Sequence, residues 1–248
     1  MKKRLDLALV ERGLAESRSL AQALILEGKV RVAGQVERKA SRAVDETAEL
    51  EIEAPPRFVS RGGEKLEGAF SIWSALSAEG KTCIDVGSST GGFTDCLLQH
   101  GAAFVMAVDV GTNQLAYKLR SDPRVWVREN YNARYMKRED LPQVPSLAVT
   151  DVSFISLKLI LPPIAEALED GGEIVALIKP QFEVGRGNAP GGLVRDESLR
   201  LAARDGIVEF AVRELDLELL GLDVSPIKGR EMGNIEYLSY WRKKGGPA

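Results

Sequence analysis

The chain reads as an α/β protein: a seven-stranded, mostly parallel sheet flanked by helices on both faces, preceded by a small basic α+β domain. Three observations predict this. From residue 82 onward, short apolar runs alternate with helical segments, the pattern of parallel strands joined by crossover helices. The first run passes through a glycine-rich turn, Gly87-Ser88-Ser89-Thr90-Gly91-Gly92, into a helix. Residues 1 to 42 carry ten Lys or Arg against five acids, a balance of +5, which leaves −8 on the rest of a chain whose formal net charge is −3. A basic head on an acidic body fits a head that docks on a polyanion. A length of 248 residues accommodates one large domain with a small companion.

In the head, Leu5 to Arg12 is expected to be helical and to stop at Gly13, and Ser17 to cap a second helix, Arg18 to Leu26, with Gly28 just beyond it. Then come a strand over Val30 to Val32, an Ala33-Gly34 turn, a short strand around Val36 and another over Ala48 to Ile52. Ala54-Pro55-Pro56 breaks the chain, so the expected division is a domain over 1–56, a linker over 57–60 and a domain over 61–248. The order helix, helix, short strands, with Arg4-Leu5-Asp6, Ser17-Arg18-Ser19, Gly28-Lys29-Val30 and Gly34 in place, resembles the S4 RNA-binding domain. By that resemblance Arg4, Arg18, Lys29 and Arg31 line a face that grips RNA phosphates, a salt-sensitive and sequence-independent contact.

In the body, strands are expected at Thr82 to Val86, Phe104 to Val108, Val125 to Val127, Leu147 to Val149 and Ile174 to Ile178, in strict alternation with helices. Two more, about Glu218 to Val224 and Ile235 to Tyr240, are joined by a turn with Pro226 and Gly229. That turn is too short for a crossover helix, so the last strand should run antiparallel.

The glycine turn marks a nucleoside pocket. Gly87 and Gly91 permit close backbone approach and positive φ, and Gly92 is expected to let the following helix pack near the sheet. Asp109 ends the second apolar run about 20 residues past the turn, where a carboxylate can accept both hydroxyls of a ribose. A dinucleotide fingerprint reads G-x-G-x-x-G, whereas here Ser88-Ser89-Thr90 separates Gly87 from Gly91 and the glycine that admits a pyrophosphate is missing. Asp85, just before the turn, repels a diphosphate and suits a cationic ligand. S-adenosyl-L-methionine is therefore the expected cofactor rather than NAD, with Ser60, Ser88, Ser89, Thr90, Phe93 and Val110 around it. Glu129, Asn130 and Asn132 follow the third strand, where an adenine-reading residue is expected; Asn132 is carried forward as the candidate.

Ligands of such a sheet sit beyond the carboxyl ends of its strands. Asp151 follows the fourth strand, Lys179 follows the fifth, Glu236 opens the antiparallel one, and Lys65 begins a helix preceding the first, so all four are expected at that edge. The blocks Val59-Ser60-Arg61-Gly62-Gly63-Glu64-Lys65-Leu66, Asp85 to Asp95, Ala107-Val108-Asp109-Val110-Gly111, Asp151 to Ser156, Leu177 to Glu183 and Gly233-Asn234-Ile235-Glu236-Tyr237 resemble the TlyA family. In that family an S4 domain is joined to an FtsJ-like (RrmJ-like) domain with the class I, Rossmann-like methyltransferase fold. The resemblance implies S-adenosylmethionine-dependent methyl transfer to cytidine ribose 2′-hydroxyls in ribosomal RNA, with Lys65, Asp151, Lys179 and Glu236 matching the family's Lys-Asp-Lys-Glu tetrad. A ribose hydroxyl is a poor nucleophile, so a base must take its proton as the oxygen attacks in line. Lys179 is the expected base and Lys65 the stabiliser of the developing oxyanion. Asp151 is expected to orient Lys179 and to favour the cationic methyl donor, and Glu236 to hold the other lysine or the ribose.

Phe154 is expected in the core rather than stacked on a target base. Arg57-Phe58-Val59-Ser60 either couples RNA docking to cofactor binding, as in the family, or packs on the body; Gly185 to Gly192 either closes over RNA or has no role. Family members act on large-subunit rRNA alone or on both subunits, the former tending to shorter ends. The few residues before Leu5 and after Trp241 favour large-subunit rRNA here, as an intact subunit or precursor.

Cys83 and Cys96 are the only cysteines and His100 the only histidine, expected at a helix end, so no disulfide framework, metal site or catalytic triad is expected. Met1-Lys2-Lys3-Arg4 resembles the start of a signal peptide, but Asp6, Glu11 and Arg12 interrupt the stretch that follows. The most apolar stretch, Leu147 to Leu168, contains Asp151, Lys158, two prolines and Glu166. A cytoplasmic protein with no membrane partner is expected. Two rival readings are a membrane-active haemolysin, a label that proteins of this family have carried, and a non-catalytic ribosome-assembly factor that binds RNA. The lack of a spanning segment or a strongly basic amphipathic helix weighs against the first, the complete tetrad against the second.

Overall fold

The computed structural model describes residues 2–53, 56–185, 187–229 and 233–245. Ala54-Pro55 of the expected break and Arg186 of the glycine-rich loop thus lie outside the described residues. Contacts divide the chain into two units, Met1–Arg57 and Phe58–Ala248.

The first unit comprises β1 (Lys2–Arg4), α1 (Leu5–Glu11), α2 (Arg18–Leu26), β2 (Val30–Val32), β3 (Gln35–Glu37), β4 (Ala43–Asp45) and β5 (Leu50–Ile52). Ser17 Oγ accepts from Leu20 N at 3.2 Å and so starts α2. β2 lies between β3 and β5, and β1 pairs antiparallel with β4. Leu5, Leu9, Ala21, Ile25, Val30 and Val44 form its apolar core. The β1–β4 pair has no counterpart in the sequence reading, because three residues are too few for a period-two pattern to stand out.

The second unit comprises α3 (Arg61–Ile72), β6 (Thr82–Val86), α4 (Gly92–Gln99), β7 (Phe104–Val108), α5 (Tyr117–Arg120), β8 (Val125–Arg128), β9 (Leu147–Thr150), α6 (Leu161–Ala167), β10 (Glu173–Ile178), α7 (Glu197–Glu214), β11 (Leu217–Val224) and β12 (Tyr237–Lys243). Seven strands form one sheet in the order β11-β12-β10-β9-β6-β7-β8, and β12 runs antiparallel to both neighbours. This is the expected seven-stranded sheet with a reversed last strand. Strict alternation fails in one place: β8 and β9 are joined by two 3-10 turns, Ala133–Tyr135 and Arg138–Asp140, rather than by a helix. Pro142 and Pro145, in the same connection, each remove a backbone donor. β12 begins at Tyr237, which leaves Glu236 just ahead of the strand instead of opening it.

Alternate residues of each strand face opposite sides of the sheet. Ile84, Val86, Met106 and Val108 pack with Leu161 and Ile164 of α6 and Ile207 of α7. Cys83, Val105 and Ala107 pack with Leu66 and Ala69 of α3 and with Phe93 and Leu97 of α4. Fully burying each large aliphatic stabilises the fold by about 1.5–3 kcal/mol, so two such layers hold the strand ends rigidly. From β6 the chain builds outward through β7 and β8, then returns to β6's other side with β9 and β10. That reversal opens a crevice beyond the carboxyl ends of β6 and β9.

Candidate active site

The turn after β6 has the expected backbone, with φ of +84° at Gly87 and +95° at Gly91. A Cβ at Gly92 would lie 2.3 Å from Ser60 Oγ and 2.8 Å from Gly63 N. What Gly92 admits is therefore the start of α3, not the sheet. Asp109, at the end of β7, accepts from Ser89 N (2.7 Å) through Oδ2 and from Gly111 N (2.6 Å) through Oδ1, and so fixes the turn.

Above the turn lies a cavity of about 590 Å³ whose walls include Ser60, Gly87, Ser88, Ser89, Thr90, Gly92, Phe93 and Asp151. Of the remaining residues expected around the cofactor, Asp85, Gly91, Asp109, Val110 and Asn132 do not line it. Asp85 is a correction. Its side chain is buried and accepts through Oδ2 from Thr94 N (2.9 Å) and Thr94 Oγ1 (2.7 Å), and burial pushes its carboxyl up to about 7. It ties the start of α4 to β6 and presents nothing to a cationic ligand. Val110 is exposed, and Asn132 Oδ1 accepts from Arg134 N at 3.1 Å to start a 3-10 turn. Glu129 accepts from Gln114 N and Arg120 Nη2, and Asn130 Oδ1 accepts from Thr112 Oγ1.

Lys65, Asp151, Lys179 and Glu236 meet at the edge of this cavity. Lys65 comes from the second turn of α3, Asp151 follows β9 and Lys179 follows β10. Lys65 Nζ lies 2.7 Å from Glu236 Oε2 and 3.4 Å from Asp151 Oδ2. Lys179 Nζ lies 2.6 Å from Asp151 Oδ1, an ion pair whose alignment does not make a hydrogen bond. It donates instead to Ser153 Oγ (2.7 Å) and to the Asp151 carbonyl (3.3 Å). Lys65, Lys179 and Glu236 are 9%, 7% and 3% exposed. Two lysines and a glutamate buried beside the half-buried Asp151 are tolerable because each charge has an opposite partner. Gln181 Nε2 extends the chain of contacts by donating to Glu236 Oε1 at 3.2 Å.

A second cavity of about 410 Å³ shares Lys65, Ser153 and Lys179 with the first and is bounded on its other side by Phe154, Gln181 and Phe182. Phe154 is a second correction: it is 85% exposed, not in the core, with φ +64° and its ring 5.1 Å from that of Phe182. The two loops meeting here are fastened by Glu183, which accepts from Ser156 Oγ (2.5 Å) and Leu157 N (2.8 Å) and whose carboxyl is raised by burial. Ser153, Gln181 and Glu183 escape sequence reasoning, since neither spacing nor composition says which loop side chains turn inward.

Val59 and Ser60 of the expected linker belong to the second unit: Val59 N donates to Asp95 Oδ2 at 2.8 Å, Phe58 is buried, and Ser60 precedes α3. In the first unit, Arg4 and Arg18 both contact the buried carboxylate of Asp6, at 2.9 and 3.0 Å, and Gln22 donates to it as well. Arg4 first, then Gln22 and Arg18, hold that carboxyl well below its ordinary range. Lys29 pairs with Glu27 at 2.6 Å, and Arg31 Nη1 donates to the Gly34 carbonyl. Among the described residues, Glu67, Cys96 and His100 are the group whose ligand atoms come within metal-chelating reach, all within 4.8 Å of one another. His100 Nε2 and Glu67 Oε2 are already hydrogen-bonded at 2.7 Å.

S-adenosylmethionine fits the first cavity on three counts. Its floor is open glycine backbone, its wall carries the Asp151 carboxylate for a cationic group, and the turn lacks the glycine that a pyrophosphate needs. A family model described as FtsJ-like methyltransferase matches residues 58–243, and one described as S4 domain matches residues 3–50. The chain is 44% identical over 242 residues to the 16S/23S rRNA (cytidine-2'-O)-methyltransferase TlyA of Mycobacterium tuberculosis, covering 96% of this chain and 89% of that protein. The chain belongs to the TlyA family of FtsJ-like methyltransferases. Its fold is that of S-adenosylmethionine-dependent methyltransferases, and S-adenosylmethionine is its cofactor. It is equally similar to Hemolysin A of Brachyspira hyodysenteriae, at 44% identity over 240 residues, 96% of this chain and 99% of that one. A solved structure from Streptococcus thermophilus, 46% identical, superposes with a TM-score of 0.75 over 99% of this chain and 90% of that one. No helix among the described residues is long and apolar enough to cross a membrane.

Proposed function

We propose that the protein methylates the 2′-hydroxyl of a cytidine ribose in ribosomal RNA and acts in the cytoplasm. The observation that carries this reading is the Lys65–Asp151–Lys179–Glu236 cluster between two cavities, with both lysines on the shared wall, Asp151 on the cavity suited to the methyl donor and Glu236 on the one open to a nucleotide. When bound, S-adenosylmethionine supplies a methyl group on a cationic sulfur. Lys179 takes the proton of the ribose hydroxyl. Lys179 contacts one carboxylate where Lys65 contacts two. A neutral amine has two N–H donors and one lone pair. Ser153 Oγ and the Asp151 carbonyl engage both donors, which leaves the lone pair for the hydroxyl. As an ammonium donating to Glu236 and Asp151, Lys65 has one N–H left for the developing oxyanion. Phe154 offers its exposed face to the target base, and the first unit supplies non-specific RNA contacts through its basic groups.

Mapping 2′-O-methylation in rRNA from cells with and without the gene tests the substrate; large-subunit RNA, the expectation from the sequence, is examined first, then small-subunit RNA. Added to rRNA from the cells without the gene, purified Lys179→Ala protein should lose methyl transfer by about a hundredfold or more while still binding RNA. Wild-type turnover by that variant would remove Lys179 from the mechanism. Identical methylation maps would remove rRNA as the substrate.

A further inference from the structure

The donor cavity carries two cations that the tetrad does not use. Arg61, the first residue of α3, and Lys228, in the loop after β11, line it together with Lys65 and Lys179. Lys65 and Lys179 are matched by Asp151 and Glu236. Arg61 and Lys228 are exposed and have no carboxylate within ion-pair distance among the described residues; Arg61 Nη2 donates to the Lys228 carbonyl at 3.1 Å, which places the guanidinium beside the Lys228 backbone on the rim. The rest of the Arg61 N–H fork and the Lys228 ammonium stay available.

Charge decides what belongs there. The donor carries a sulfonium and an ammonium against one carboxylate, so it is itself a net cation and leaves two further positive charges uncompensated. An RNA strand brings the opposite charge to the same spot. In RNA the 2′-hydroxyl and a 3′-phosphodiester sit on adjacent ribose carbons, so a hydroxyl that reaches Lys179 draws a phosphate in beside it. Arg61 and Lys228 lie on the cavity that Lys179 borders. We propose that Arg61 and Lys228 form a clamp for the phosphodiester next to the target ribose, a contact that sets the strand's position at the tetrad. The proposal rests on the methyltransferase reading of the site.

The test uses the full-length protein, wild type against Arg61→Met, Lys228→Met and the double variant, the methionines keeping the apolar stems. Ribosomal subunits from cells lacking the gene are titrated over a range of salt, and S-adenosylmethionine alone is titrated by calorimetry. Loss of the clamped phosphate should lower the slope of log K against log salt by about one and weaken RNA binding about tenfold or more at low salt, with donor affinity changed less than about twofold. A Lys228→Arg variant should restore the slope. If donor affinity falls instead and the salt slope stays, the pair holds the donor's carboxylate and the clamp is refuted; if neither changes, both are solvated charges and it is refuted as well. Wild-type protein that does not methylate, yet binds RNA through these two cations, would overturn the methyltransferase reading and leave the clamp standing.

Discussion

Asp85→Asn should reverse the sign of its effect on stability as pH rises. The Asp85 carboxyl is buried, its carboxyl is pushed up to about 7, and its Oδ1 has no partner. In the unfolded chain it titrates near its ordinary value of 3.8. Between about pH 4 and pH 7 the folded state therefore binds the proton that the unfolded state releases, and wild-type stability falls as pH rises through that window. The gap of about three pK units is worth about 4 kcal/mol in all, flat above pH 7. Asparagine does not titrate. Its carbonyl can still accept from Thr94, but its amide places donors where Oδ1 finds no partner, at a cost of about 1–3 kcal/mol. The variant should then be less stable than wild type near pH 4 and more stable, by about 1–3 kcal/mol, at pH 8.5. Tryptophan fluorescence reads the right unit, because Trp73, Trp126 and Trp241 all lie in the second. Urea melts of both proteins from pH 4.5 to 8.5 give the difference directly. A difference constant across that range would show that Asp85 does not titrate there and that its burial does not raise its carboxyl.

Other parts of the molecule give equally definite expectations. Asp6→Asn removes the carboxylate that Arg4, Arg18 and Gln22 share and should destabilise the first unit by about 1–2 kcal/mol at pH 7, the arginines being half exposed. Because the Asp6 carboxyl is held low when folded, its stabilisation is complete above about pH 4 and is lost on further acidification, so circular dichroism should show variant and wild type converging in acid. Phe154→Ala should raise KM for RNA about five- to a hundredfold while leaving the affinity for S-adenosylmethionine alone unchanged, a stacking loss of about 1–3 kcal/mol; an unchanged KM would return Phe154 to a role without RNA. Ser153→Ala takes away one of the two acceptors that orient Lys179 and should lower kcat more than it alters KM, measured by methyl incorporation into ribosomal subunits.

Much of the fold was legible because strands of a buried parallel sheet are continuous apolar runs, and the runs at Thr82 to Val86 and Phe104 to Val108 need no context to be found. The meeting of Lys65, Asp151, Lys179 and Glu236 was legible for a related reason: a doubly wound sheet delivers the residues after its strands to one edge, so position along the chain already implies proximity. The partners within the cluster were only partly legible. That Glu236 pairs with Lys65, and that Ser153 rather than the carboxylate makes the hydrogen bond to Lys179, depends on side-chain directions that strand order does not fix.

The two corrections have opposite causes. Asp85 lies on a strand, where side-chain direction alternates, and it shares the parity of Cys83, which packs beneath α3 and α4. Its burial against Thr94 was thus available from parity; proximity to the glycine turn was the wrong guide. Phe154 lies on a loop, where no period governs direction, and it adopts a positive φ that nothing in an aromatic side chain announces. The same indeterminacy extends to Arg61 and Lys228, one at a helix start and one in a loop. The charges whose pairing holds the site together lie in an element or directly at a strand end, while the aromatic ring and Lys228 lie in loops and Arg61 on the first residue of a helix. A substrate is met by the second set, so the residues that choose it are the ones least readable in sequence, and those that act on it are the most.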